Sequence, residues 1–173
     1  MAYSEGSITN HANRDFLTGL YNRRYFFQNM DEYISEEDVL NEQFAVGMID
    51  IDSFKKINDT YGHDTGDKVI IHLANILMSN TNSRDIVSRF GGEEFCVVLK
   101  NINKLSVLEI FDRLREEISK TVVYSDKKEP IQFTISIGIS LYSEDGLEET
   151  INQADMMLYK AKNDGRNRVV IEE

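Results

Sequence analysis

The sequence is poor in several things, and each shortage excludes a class of protein. It holds one cysteine, Cys96, among 173 residues. A single thiol cannot close an intramolecular disulfide, so the chain is no cystine-stapled scaffold and reads as a protein of a reducing compartment. Between Phe95 and Val97, in an apolar run, Cys96 reads as a small core residue rather than a nucleophile. The only proline, Pro130, stands just ahead of a strand pattern, where it does no damage. Positive charge is short: 19 lysines and arginines face 30 aspartates and glutamates, for a formal charge of -11. Non-specific nucleic-acid binding needs a basic surface and is disfavoured. A nucleotide pocket with a few local cations is not. No apolar run approaches membrane-spanning length and no signal-peptide pattern opens the chain. A cytoplasmic location is therefore expected, for a domain that can still belong to a longer, membrane-attached protein. Internal repeats and low-complexity tracts are absent too.

What is present is a globular composition, 41% hydrophobic and long enough for one domain with its own core. Residues 1–13 are polar and aperiodic, and read as a linker or the frayed end of an incoming helix, which leaves 14–173 as the domain. From there periodicity predicts the elements. Asn22 caps a helix through about Ile34. Phe44 to Ile51 is an almost unbroken apolar run, as in a buried central strand. Ser53 to Tyr61 is a short helix stopped at Gly62, and Asp67 is read as the cap of a second helix from Lys68 to about Ser79. Ile86–Phe90 and Phe95–Leu99 form a hairpin across a glycine turn. Ser106 to Lys120 is an amphipathic helix. Ile131 to Leu141 alternates as one strand. Leu147 to Asn163 is a helix stopped by Gly165, and Val169 to Ile171 is a last strand. The order predicts an α+β fold, a ferredoxin-like α/β sandwich with a central, mostly antiparallel sheet and helices packed on it. Helices on one face would leave the other partly open.

Chemistry concentrates in a few stretches. The apolar strand ends in Asp50, followed at alternate spacing by Asp52. Asp50 reads equally as a strand end or as a ligand, because a buried strand rarely closes on an unpartnered acid; Asp52, beside Ser53, reads as a helix cap. In such a sheet the hairpin can lie next to this strand, bringing Glu93 and Glu94 towards Asp50. Close carboxylates repel unless a cation neutralises them, and oxygen-only ligation favours a hard divalent ion, most simply Mg²⁺. Lys55 and Lys56 open the short helix, where backbone amides can also meet phosphate. Asn58, His63 and Asp67 form a polar set, and Asn with Asp can read a guanine edge, since Asp accepts from N1–H and N2–H₂. Taken singly, each of these also reads as a helix-end or loop residue. Lys162 and Arg166, one helical turn apart, read on their own as a solvated helix end.

Together these stretches resemble the GGDEF family of diguanylate cyclases. The signature is "GGEEF", Gly91 to Phe95, with Glu93 in place of aspartate. It is accompanied, in family order, by "DFLTGLYNRR" from Asp15, "DIDSFKKINDTYGHDTGD" from Asp50, "FTISIGIS" from Phe133 and "ADMMLYKAKNDGRNRV" from Ala154. The resemblance implies a nucleotidyl-cyclase or polymerase-palm type of fold and condensation of two GTP to cyclic di-GMP with release of pyrophosphate. It implies Mg²⁺, with Mn²⁺ as a substitute, held by Asp50, Glu93 and the Ile51 carbonyl, with Glu94 completing a second position. Glu93 is also implied as acceptor of the 3′-hydroxyl proton. Asn58 and Asp67 would read the guanine, with His63 beside them; Lys55, Lys162, Arg166 and the backbone at Ser53 and Phe54 would face the phosphates. A homodimer is implied, since each subunit holds one GTP, and so is an upstream sensor or receiver domain. Many relatives carry an Arg-x-x-Asp product site before the signature; here the four residues are Asn82 to Asp85, with asparagine in the arginine position. Two other readings compete: a catalytically weak module that binds GTP or cyclic di-GMP, and a palm-type nucleotidyltransferase acting on nucleic acid, which the acidic composition disfavours.

Overall fold

The computed structural model describes residues 12–36 and 42–173, so the linker expected over 1–13 falls almost wholly outside the described residues. Along the chain run β1 (Tyr21–Asn22), α1 (Arg23–Ser35), β2 (Phe44–Ile51), α2 (Phe54–Tyr61), α3 (His63–Ser79), β3 (Ile86–Gly91), β4 (Glu94–Lys100), α4 (Lys104–Lys120), β5 (Val123–Tyr124), β6 (Pro130–Ile131), β7 (Ile135–Leu141), α5 (Leu147–Asn163) and β8 (Val169–Ile171). The main sheet has the order β1-β3-β4-β2-β7-β8. The three inner pairings are antiparallel, while β1 and β8 join its edges in parallel. No helix among the described residues is long and apolar enough to cross a membrane.

β2 organises the core. It lies between β4 and β7 and every one of its residues is buried, which is why its sequence is apolar rather than alternating. Its two faces still differ, because successive side chains point to opposite sides. Ala45, Ile49 and Ile51 meet Leu73 and Leu77 of α3 and Phe111 and Leu114 of α4. Phe44, Val46 and Met48 meet Phe26 and Met30 of α1 and Ile151, Ala154 and Leu158 of α5. The expectation of a partly open second face is therefore corrected: α1 and α5 cover it. α5 comes close because β7 carries Gly138, where a Cβ would overlap the α5 backbone at Ala154 and Leu158. Cys96 is fully buried on this second face, and burial pushes its thiol well up.

Capping and turns explain most helix ends. Asn22 accepts from the Tyr25 amide at 2.9 Å, as expected, a bond worth about 1 kcal/mol. Asp67 does not cap: α3 begins at His63, with Gly62 (φ 92°) as its cap residue. The single strand expected over Ile131–Leu141 is two, with β6 pairing β5 in a separate small sheet. Between them the Thr134 carbonyl accepts the Asp52 amide at 2.9 Å, in register with the β2–β7 ladder.

Candidate active site

Parity along β2 decides where its acid goes. Asp50 shares the face of Met48, so its side chain points to the α5 side, and Lys162 of α5 meets it, Nζ to Oδ2 at 2.5 Å. In register beside it on β4 stands Glu94. Glu93 lies in the two-residue loop that joins β3 to β4, a turn made possible by Gly92 at φ 48°. The three carboxylates are neighbours, but among the described residues no three acidic, histidine or cysteine side chains close into a group able to hold a metal. Their charges interact nonetheless. Burial pushes the Asp50 carboxyl up, Lys162 offsets only part of that, and Glu93 and Asp52 add to it. Partial desolvation and then Asp50, Asp155 and Glu93 push Glu94 up as well. Asp50 Oδ1 is buried with no hydrogen-bond partner. An unpartnered carboxylate oxygen amid repelling acids suits a hard divalent cation: the donors are all oxygen and the charge is in excess.

The turn carrying Glu93 is clamped by a residue that sequence reading did not single out. Arg89 donates from Nη2 and Nε to the Gly92 carbonyl, at 2.7 and 3.1 Å, and from Nη1 to the Asp15 carboxylate at 3.2 Å. Asp15 also accepts from the Thr18 amide and hydroxyl. Burial raises the Asp15 carboxyl, but the bonds from Thr18 and Arg89 outweigh it and hold it below its usual range. An isolated arginine on a strand carries no periodic signal; only its position beside the glycine pair hinted at a role.

A second group gathers on α2 and α3. Ser53 begins α2 in the left-handed conformation (φ 55°), and Lys55, on the first turn, is exposed and has no ion-pair partner among the described residues. Phe54 is half-buried. Asn58 turns its amide towards Gly66 of α3, and its Oδ1 is buried without a partner. A side chain at Gly66 would overlap that oxygen and come within 3.2 Å of the Phe54 ring, so this glycine, also unremarked in the sequence, makes the room in which Asn58 sits. His63 and Asp67 are exposed on the first turns of α3. No hydrogen bond joins Lys55, His63 or Asp67 to another candidate residue among the described residues.

On the opposite side of α2 is a cleft of about 510 Å³ lined by Ser53, Lys56, Tyr61, Phe133 and Arg166. Arg166 (φ 63°) and Asn167 (φ 48°) are successive left-handed residues in the turn after α5. Asp52 does not cap α2, whose cap residue Ser53 makes no side-chain bond. Its carboxylate instead accepts from Thr134 Oγ1 at 2.7 Å, Ser136 Oγ at 2.6 Å and the Asn167 amide at 3.0 Å.

Comparison with known proteins meets this arrangement. The family model "Diguanylate cyclase, GGDEF domain" matches residues 12–168. Diguanylate cyclase A of Treponema denticola is 37% identical, over 99% of this chain and 47% of that protein. Response regulator PleD of Caulobacter vibrioides is 40% identical, over 90% of this chain and 35% of that protein. The chain thus spans less than half the length of these curated relatives. Among solved structures, the GGDEF domain of DgcB from Caulobacter crescentus, in complex with c-di-GMP, superposes with a TM-score of 0.87 at 31% identity, covering 92% of this chain and 95% of that one. With the signature hairpin set against an acid-tipped central strand and the family pattern matched almost end to end, the chain belongs to the GGDEF-domain family of diguanylate cyclases.

Proposed function

We propose that the chain is a diguanylate cyclase that condenses two GTP to cyclic di-GMP and two pyrophosphates, working as a dimer. The observation that carries this reading is the meeting of Asp50, with its unpartnered buried oxygen, and the Glu93–Glu94 hairpin at one end of the central strands. Asp50, Glu93 and the Ile51 carbonyl would hold Mg²⁺, or Mn²⁺ in its place, and Glu94 would serve a second position. Bound there, the ion would supply charge neutralisation at phosphoryl oxygens and a lower barrier to deprotonation of the 3′-hydroxyl. Glu93 accepts that proton. Lys55 offsets charge that grows on the α-phosphoryl group as pyrophosphate leaves. Asn58 and Asp67 read the guanine beside His63, while Lys162, Arg166 and the Ser53 and Phe54 amides hold the phosphates. Each 3′-oxygen attacks the other subunit's nucleotide, so the protein's work is mainly positioning.

The decisive experiment incubates the protein with GTP and Mg²⁺ and resolves products by chromatography. Cyclic di-GMP and pyrophosphate are expected from GTP and no cyclic dinucleotide from ATP. Tight GTP binding without turnover, at any protein concentration, would instead favour the binding-module reading. Two further outcomes follow from the same reading. Because one subunit supplies half of a two-nucleotide site, specific activity should climb with protein concentration, and a coiled coil fused ahead of Asp15 should raise it at low concentration. Constant specific activity across dilution, with a monomer throughout by ultracentrifugation, contradicts this.

Feedback by product should be weak. Asn82 is short and neutral where relatives place a forked arginine. Asp85 is already engaged, accepting from the Asn82 and Lys100 amides at 3.0 and 3.1 Å. The neighbouring Arg84 pairs with Glu42 at 3.2 Å. Cyclic di-GMP titrated against initial rate should inhibit the wild type feebly and Asn82→Arg more strongly. Tight non-competitive inhibition of the wild type that Asp85→Ala removes would refute this.

A further inference from the structure

We propose that Asp52 is a positioning residue for nucleotide phosphates, acting through Arg166; the inference rests on the reading of Arg166 as a phosphate ligand. Arg166 does not sit in relaxed backbone. It and Asn167 both adopt left-handed conformations (φ 63° and 48°) directly after Gly165 at φ 126°. Non-glycine residues enter this region at a cost and stay only where surroundings hold them. Besides the local bond from Arg168 Nε to the Arg166 carbonyl at 3.1 Å, three contacts hold this turn. The Arg166 amide donates to the Ala161 carbonyl at 2.9 Å, closing the end of α5. Arg115 Nη1 of α4 donates to Asn167 Oδ1 at 2.9 Å. The third comes from the core: Asn167 N–H donates to Asp52 Oδ2 at 3.0 Å.

Asp52 is suited to this work. It is only 6% exposed, and besides the Asn167 amide it accepts from the Thr134 and Ser136 hydroxyls. Those two bonds fix its rotamer, and its own amide is bound to the Thr134 carbonyl. It stands between Ile51, at the end of β2, and Ser53, which opens α2 in a left-handed conformation. One side chain thus ties three things to a common origin: the strand end bearing Asp50, the start of the helix bearing Lys55, and the turn bearing Arg166. Buried hydrogen-bonded carboxylates of this kind set orientation at distances where a small misplacement weakens binding.

The test is a double-mutant cycle read by calorimetry with 3′-deoxy-GTP, which lacks the attacking hydroxyl, and with GMP, which lacks the outer phosphates. Asp52→Ala should weaken 3′-deoxy-GTP about tenfold and leave GMP within about twofold. Asp52→Asn can still accept from Asn167 and Thr134 and face Ser136, so it should stay within about threefold of the wild type for both. In an Arg166→Ala background, Asp52→Ala should cost under about twofold more, because the group it positions is gone. If Asp52→Ala fails to fold by circular dichroism, Asp52→Ser, polar but too short to reach Asn167, takes its place in the cycle. Equal losses for 3′-deoxy-GTP and GMP, or full additivity with Arg166→Ala, would overturn the positioning role and leave the reading of Arg166 standing. An Arg166→Ala protein that binds 3′-deoxy-GTP as tightly as the wild type would overturn both.

Discussion

Asp50→Asn should abolish GTP turnover, by at least about a thousandfold, and yet make the metal-free protein more stable. The loss of activity follows from charge: the amide keeps the shape of the side chain but holds a divalent ion poorly. The gain in stability follows from geometry. Asp50 is a buried carboxylate with one unpartnered oxygen, in the field of Glu93 and Asp52. Its folded-state pKa is raised, so its ionised form works against folding above that value, and a neutral side chain relieves the penalty at neutral pH. The gain shrinks as pH falls into the carboxylate range, where the wild type protonates Asp50 itself. Lys162 loses its partner in the variant, but at 27% exposure it can turn to water. We expect a net gain of roughly 1 kcal/mol, or about 3 °C in Tm for a domain of this size. Scanning calorimetry in EDTA and in Mg²⁺ checks both halves: Mg²⁺ should raise the wild-type Tm and leave the variant unmoved. A lower Tm for the variant in EDTA, or an equal Mg²⁺ shift, would count against this account of the site.

Gly66→Ala should behave as a substrate-binding variant although Gly66 has no assigned role of its own. On an ordinary helix the change is favourable by about 1 kcal/mol. Here the new methyl overlaps Asn58 Oδ1 and crowds the Phe54 ring. The backbone of α3 is packed against the core through Val69, Ile70 and Leu73 and cannot retreat. Asn58, on the half-buried side of the short α2, must give way. GTP affinity should fall about 10- to 100-fold, the cost of a lost base-reading group in a site built for it, with little change in helix content. Asn58→Ala should show a similar loss, and the double variant should be no worse than either. Calorimetry with 3′-deoxy-GTP measures all three. Wild-type affinity in Gly66→Ala would detach Asn58 from guanine recognition.

Much of the fold is legible in the sequence, and what is not has physical causes. β2 could be read end to end because burial on both sides leaves an apolar run with nothing to confuse it. α5 and β8 matched their expected bounds because helical periodicity, a stopping glycine and a closing apolar triplet agree. Asp67 misled because a polar residue before an apolar stripe resembles a cap. The true start of α3 is set instead by Gly62, whose φ of 92° separates it from α2 and whose carbonyl accepts the first bond of α3 from the Gly66 amide. The two-residue strands are too short to have a period. The pairing of Lys162 with Asp50 and the bond from the Asn167 amide to Asp52 join distant parts of the sequence, and they follow only once parity along β2 and the packing of α5 on the second face are known. Arg89 and Gly66 act through contacts that no spacing rule encodes.

The burial of Cys96 makes the protein ready for site-specific chemistry. The thiolate is the form that reacts with maleimides, iodoacetamides and methanethiosulfonates. Full burial and a strongly raised pKa keep this thiol silent while the fold is intact. No background cysteine therefore needs removal, and the core is left as nature packed it. A cysteine placed at Tyr159, which is exposed on α5 one turn before Lys162, would be the sole reactive position on the native protein. A spin label or fluorophore there would test the proposed face-to-face approach of two subunits. The onset of Cys96 labelling would serve, in the same sample, as an internal clock for unfolding.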